Sequence, residues 1–169
     1  MTLARSIIVT GLAPSAVLTV LIFISLWHEP RIWLHDAPQS LQDKVPPKTE
    51  REVALTWAYS VLFLPLFFGV PILSTVRLLG RNPGLGFWSG FANAAGIVLV
   101  FGLVDLVLID WLVVCWLTPS FLVIPGTEGA AEYKDYGFHA VGFLIGLPLM
   151  AATGLIAALI ATRMRRRRG

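Results

Sequence analysis

A chain of 169 residues has room for one domain. Hydrophobic residues make up 56% of it and charged residues 14%, against roughly 45–50% and 25% in soluble domains, and the mean hydropathy is +0.76. Too few polar side chains are present to coat that apolar surface. The same figures exclude a disordered chain, and the lone Cys115 excludes a disulfide scaffold, which leaves an integral membrane protein.

A bilayer core about 30 Å thick needs about 20 apolar residues per spanning helix. Four stretches qualify, at about 6–27, 53–76, 85–117 and 138–162. Nothing alternates with period two as a barrel strand would, so the spans are helices that satisfy their own backbone groups. The expectation is an all-α polytopic membrane protein, residues 1–169 as one domain. Four transmembrane helices form a bundle under an ordered extracytoplasmic cap. The first stretch is longer than a signal-peptide core, and no small-x-small site precedes His28-Glu29-Pro30, so it is expected to be a retained helix.

Punctuation supports the count. Thr49-Glu50-Arg51-Glu52 reads as a capping box opening the second helix. Asn82-Pro83 reads as N-cap and first residue of the third, and Thr118-Pro119 as its end. Pro14, Pro65, Pro71 and Pro148 fall inside the other helices, where each removes a hydrogen bond and predicts a kink.

Arg5, Arg77, Arg81, Arg163 and Arg165, Arg166, Arg167 and Arg168 fall on one side with no acidic residue among them. On the other side, Arg31, Lys44, Lys48, Arg51 and Lys134 are mixed with Glu29, Asp36, Asp43, Glu50, Glu52, Glu128, Glu132 and Asp135. This bias puts both termini and the turn at 77–84 in the cytoplasm, with connections 28–52 and 118–137 outside. The basic tail at 163–169 follows an apolar helix directly. It reads as a topology anchor drawn to anionic lipid of the inner leaflet rather than as a nucleic-acid contact.

The first outer connection is stiffened by Pro30, Pro38, Pro46 and Pro47. Asp36 is placed to cap a short helix with Ala37, Leu41 and Val45 on one face. With Ile32, Trp33 and Leu34 upstream, the segment is expected to lie on the membrane surface. In the second, Phe121 to Ile124 is short and apolar enough to fold back on the bundle, and Pro125-Gly126 suits a type II turn. Pro125-Gly126-Thr127-Glu128-Gly129 lacks the Gly-Lys-Ser/Thr ending of a phosphate loop.

Three stretches carry a resemblance. Pro30–Lys48 with its Val45-Pro46-Pro47-Lys48-Thr49-Glu50 ending, Asp105–Trp111, and Ile124–Gly129 followed by Tyr133-Lys134-Asp135-Tyr136 resemble an uncharacterised group of small bacterial four-helix membrane proteins. The resemblance covers about half the chain. It implies a location in the bacterial cytoplasmic (inner) membrane and a topology, and no activity.

Ionisable side chains inside a spanning helix are costly and often functional. Trp88 and Trp111 are 23 positions apart, about 35 Å at helical rise, which matches two aromatic belts. Asp105 lies roughly 9 Å inside the outer belt, and Asp110 lies at it. At about 100° per residue the two carboxylates sit about 140° apart, so the helix by itself does not bring them together. Thr56, Tyr59, Ser60, His28, Glu29 and His139 are placed at the same level. A candidate polar site therefore comprises Asp105, Asp110, His139, Glu128 and Tyr59, opening outward to a cation, a proton or a polar ligand. The competing reading makes Asp105 a buried hydrogen-bond staple and the other acids solvated rim charge.

His28 and His35 are not at a ligand spacing, so whether a metal binds stays open, and no cofactor is predicted. Cys115 reads as a packed thiol. Asn93 lies deep among small residues. Gly86-x-x-x-Gly90 and Gly142-x-x-x-Gly146 are small-residue faces for helix packing, or for a homo-oligomer or larger complex. Three functions follow in order: an accessory or interaction subunit of a membrane complex, a small transporter or channel subunit using the Asp105-centred site, and a membrane enzyme acting on lipid or a periplasmic substrate. No nucleophile or nucleotide motif supports the last, and no nucleic-acid partner is expected.

Overall fold

The computed structural model describes residues 2–167, so Arg168 of the basic tail lies outside it. Four helices are long and apolar enough to cross a membrane: α1 (Leu3–His28), α2 (Glu50–Arg81), α3 (Phe87–Leu117) and α4 (Tyr136–Arg166). Three begin before their apolar stretch because a polar cap holds the first turn. Thr2 Oγ1 accepts from Arg5 N. Thr49 and Glu52 exchange side-chain and backbone hydrogen bonds as a capping box. Asp135 Oδ1 accepts from Phe138 N at 2.8 Å. Asn82 does not open α3. Its Nδ2 donates to Leu78 O at 2.7 Å and closes α2, and Gly86 precedes α3. The chain needs residues 82–86 to reverse direction, and Leu85 N donating to Asn82 O completes that turn.

α3 is central. α1 and α4 both pack along it, and the second half of α2, from Val70, lies against α3 and α4. The core of this half is Leu18, Leu79, Ala94, Ile97, Val98, Ala157 and Ala158, all buried. A polar staple runs through it: Asn93 Nδ2 donates to Thr75 Oγ1 at 2.9 Å and Ser74 Oγ at 3.3 Å. Close approach depends on Gly154, where an added Cβ would stand 3.0 Å from Phe91 O.

The first half of α2 is different. Glu50–Leu64 buries no residue, and a π-turn at Pro65–Gly69 separates it from the packed half. Pro65 and Pro71 each withdraw an N–H from the ladder, and a widened turn is one way a helix absorbs that loss. This half leans on the first connection through Arg31 Nε donating to Glu52 Oε1 at 2.7 Å, Lys48 Nζ donating to Thr56 Oγ1 at 3.1 Å, and Trp33 meeting Phe63 edge-on.

The first connection folds as a 3-10 helix at Pro30–Asp36 and one helical turn at Gln39–Gln42. Asp36 ends the former and does not cap the latter, because Pro38 occupies the capping position. Ile32, Leu34 and Leu41 are buried, the last two with Ile22, Leu26 and Ile109. The apolar face of this segment therefore packs against α1 and α3. In the second connection, Leu122 and Ile124 fold back into the same cluster. Gly126 has φ +88°, and Thr127 N donates to Ile124 O, as a type II turn requires. Lys44 and Glu132 join the two connections at 2.6 Å.

Candidate functional site

From Asp105 to Leu117, α3 runs as a π-helix, ending where Thr118 N donates to Val113 O at 2.8 Å. Hydrogen bonds now link residues five apart, so a residue stands above the one five before it. Asp110 therefore shares a face with Asp105, in place of the 140° separation that regular helical spacing gives. The change of register brings the two carboxylates to one wall.

That wall bounds a cavity of about 690 Å³ between the four helices and both connections. Its polar groups are Asp105 and Asp110 from α3, His139 from α4, His35 and Asp36 from the first connection, and Glu132 from the second. Asp110 Oδ1 lies 3.2 Å from His139 Nδ1, and Asp36 Oδ2 lies 3.1 Å from His35 Nε2. Asp105 has no hydrogen-bond or ion-pair partner among the described residues, so the staple that the sequence allowed is not formed by the chain itself. The remaining lining is apolar, with Trp33, Phe67, Phe101, Phe143 and Met150 prominent.

The charges of the connections respond to this setting. The protein crowded around Asp36 raises its carboxyl, although 55% of the side chain remains accessible, and Asp110 pushes the same way. His35, Lys48 and His139 pull it down by less. Burial lowers Lys48, whose ammonium donates to Ile32 O and Thr56 Oγ1 inside the first connection. The hydrogen bond from Lys44 holds Glu132 below its ordinary range.

Two of the expected site residues lie elsewhere. Glu128 accepts from Gly126 N at 3.0 Å within its own turn, and hydrogen bonds from its own backbone N–H and from that of Gly126 hold its carboxyl low. Tyr59 OH is 3.3 Å from His28 Nδ1, and neither residue lines the cavity. The small-residue faces also divide. Gly90 is in close contact, with an added Cβ 3.1 Å from Leu79 Cδ1. Gly86 is the N-cap of α3 and meets nothing. Gly142 and Gly146 line the cavity and leave space there, with no close helix approach at either within the chain. At the opposite end, Arg163, Arg165 and Arg166 form the last turn of α4, Arg167 caps it, and Arg165 Nη1 donates to Leu85 O at 2.6 Å.

Asp36, His35 and Glu132 are the cavity groups that the sequence did not single out. Their signal was present but shared with ordinary roles, a helix cap for Asp36 and a solvated rim for Glu132. Among the described residues, no group of three or more His, Cys, Asp or Glu is spaced to hold a metal ion. No family model, curated protein or solved structure matches the chain.

Proposed function

We propose that this chain is an integral membrane protein of the bacterial cytoplasmic membrane. Both ends of the bundle's outer helices, α1 and α4, that carry Arg5 and Arg163 face the cytoplasm. The chain acts as a ligand-binding accessory subunit whose cavity opens outward. Four apolar helices support the insertion. Exposed Trp27, Trp57 and Trp116 at the connection end, and exposed Trp88 at the arginine end, fit two interfacial belts. The arginine bias and the resemblance to small bacterial membrane proteins support the orientation and the location.

The observation that carries the function is the convergence of Asp105, Asp110, His139, His35, Asp36 and Glu132 on one cavity with otherwise largely apolar walls. The Asp105 carboxyl is half-buried and has no partner in the chain, so it is free to engage a ligand that enters the cavity. The volume falls within the roughly 300–1,000 Å³ of small-molecule sites. Toward the arginine end, Ile97, Val98, Ala94 and Ala157 are packed without exposure, which favours binding from one side over passage through the chain.

Cysteine labelling tests this reading. In a Cys115→Ala background, Gly142→Cys places a thiol on the cavity wall and Gly84→Cys places one in the short turn between α2 and α3. A membrane-impermeant maleimide added to intact cells should label the first, and the second only after permeabilisation. The reverse pattern overturns the orientation. Failure of Gly142→Cys to react under either condition overturns the water-accessible cavity.

A further inference from the structure

The cavity walls narrow the ligand, an inference that rests on the binding site proposed for this end of the bundle. Asp36, Asp105, Asp110 and Glu132 line the cavity, and no Lys or Arg does. Glu132 is paired with Lys44, Asp110 with His139 and Asp36 with His35, which leaves Asp105 as the acceptor without a partner among the described residues. An anion would find no Lys or Arg on the wall and would meet the unpartnered Asp105. A small inorganic cation would leave most of the volume unfilled, and too few ligands are clustered to replace its water shell. The aromatic side chains of Trp33, Phe67, Phe101 and Phe143 on the wall instead suit a cation that carries its own apolar surface, by burial and by cation–π attraction.

The route in is also visible. Gly142 and Ile145 line the cavity and are both exposed, Ile145 at 73%, so the cavity opens along this stretch of α4. An added Cβ at Gly142 would meet nothing within 4 Å, so this side of the cavity is left open where glycine replaces a side chain. We infer that the ligand is an organic cation with a substantial apolar body, an ammonium or its equivalent, which enters sideways from the outer leaflet between α3 and α4. Its charge sits against Asp105 and its apolar part against the aromatic wall.

The test uses two ions of the same shape and opposite charge, tetraphenylphosphonium and tetraphenylborate, both radiolabelled. Each is titrated onto the full chain in nanodiscs of neutral lipid, with empty nanodiscs subtracted. Tetraphenylphosphonium should bind saturably with one site per chain, and tetraphenylborate should not. Asp105→Asn should weaken binding by about tenfold or more, equivalent to about 1.4 kcal/mol, and Gly142→Trp, which fills the cavity, should abolish it. If Asp105→Asn does not fold, as judged by gel filtration, Gly142→Trp carries the comparison. Equal saturable binding of both ions overturns the cationic class and leaves the cavity as a binding site. Absence of saturable binding by either ion, with Gly142→Cys still labelled from outside, overturns the class and leaves the access route. Wild-type affinity in either variant places the probe elsewhere and overturns the inference.

Discussion

Tyr133 shows how a single hydroxyl fixes a loop against an apolar bundle. Its OH accepts from Ile124 N at 2.9 Å and lies 2.8 Å from Thr127 Oγ1, which in turn donates to Ile124 O at 2.7 Å. The circuit satisfies both backbone groups of Ile124 where Ile124 and Tyr133 are buried. Tyr133→Phe keeps the ring and removes the acceptor, so a buried N–H is left unpaired. That should cost about 1–3 kcal/mol, read as a lower unfolding midpoint in detergent with unchanged helix content. A midpoint equal to wild type would mean that water replaces the hydroxyl and that the circuit contributes little. Asp105 is the opposite case, a polar group the chain leaves without a partner. This contrast is why the cavity is read as a site and the Tyr133 corner as structure.

At the scale of elements, the four helices were legible because length and hydropathy alone demand them, and the ends were legible where a side chain caps the backbone. Thr49 with Glu52 and Thr118 mark real boundaries. Asn82 misleads because the same amide that caps an N-terminus also satisfies a last-turn carbonyl, and the choice depends on where the chain must turn. The π register of α3 was not legible, because an apolar run such as Leu106–Val114 carries no periodicity that distinguishes five-residue from four-residue hydrogen bonding. Without it, Asp105 and Asp110 stand on different faces and the site is half-assembled.

The connections, by contrast, meet through charge. Lys44 holds the Glu132 carboxyl below its ordinary range. A depressed carboxyl contributes stability that is complete above its unfolded value and is lost as pH falls through its folded value. Amide protection over Ala131–Lys134, measured by hydrogen exchange and corrected for intrinsic rate, should therefore fall as the medium is acidified through and below the ordinary carboxylate range. Glu132→Gln should show the reduced protection already at neutral pH. Protection that is independent of pH in both proteins would assign the junction to Leu122 and Ile124 packing alone.

The whole molecule is asymmetric along its axis. Its arginine half is packed through Gly154, Ala94 and Ala157 and stapled by Asn93, while its connection half holds the exposed first half of α2, the π segment and the cavity. Hydrogen bonding in the packed half does not make a conducting path. Asn93 Oδ1 is buried without a partner among the described residues, and Ile97 and Val98 stand between Asn93 and the Asp105 level. Moving an ion through that layer requires stripping its water with nothing polar to replace it. The chain reconstituted alone into liposomes should therefore leave an imposed proton or potassium gradient decaying at the rate of protein-free vesicles, while still binding tetraphenylphosphonium. A faster decay that Asp105→Asn removes would show that Asp105 serves a pathway through the bundle, and the packed half would then have to open during each passage.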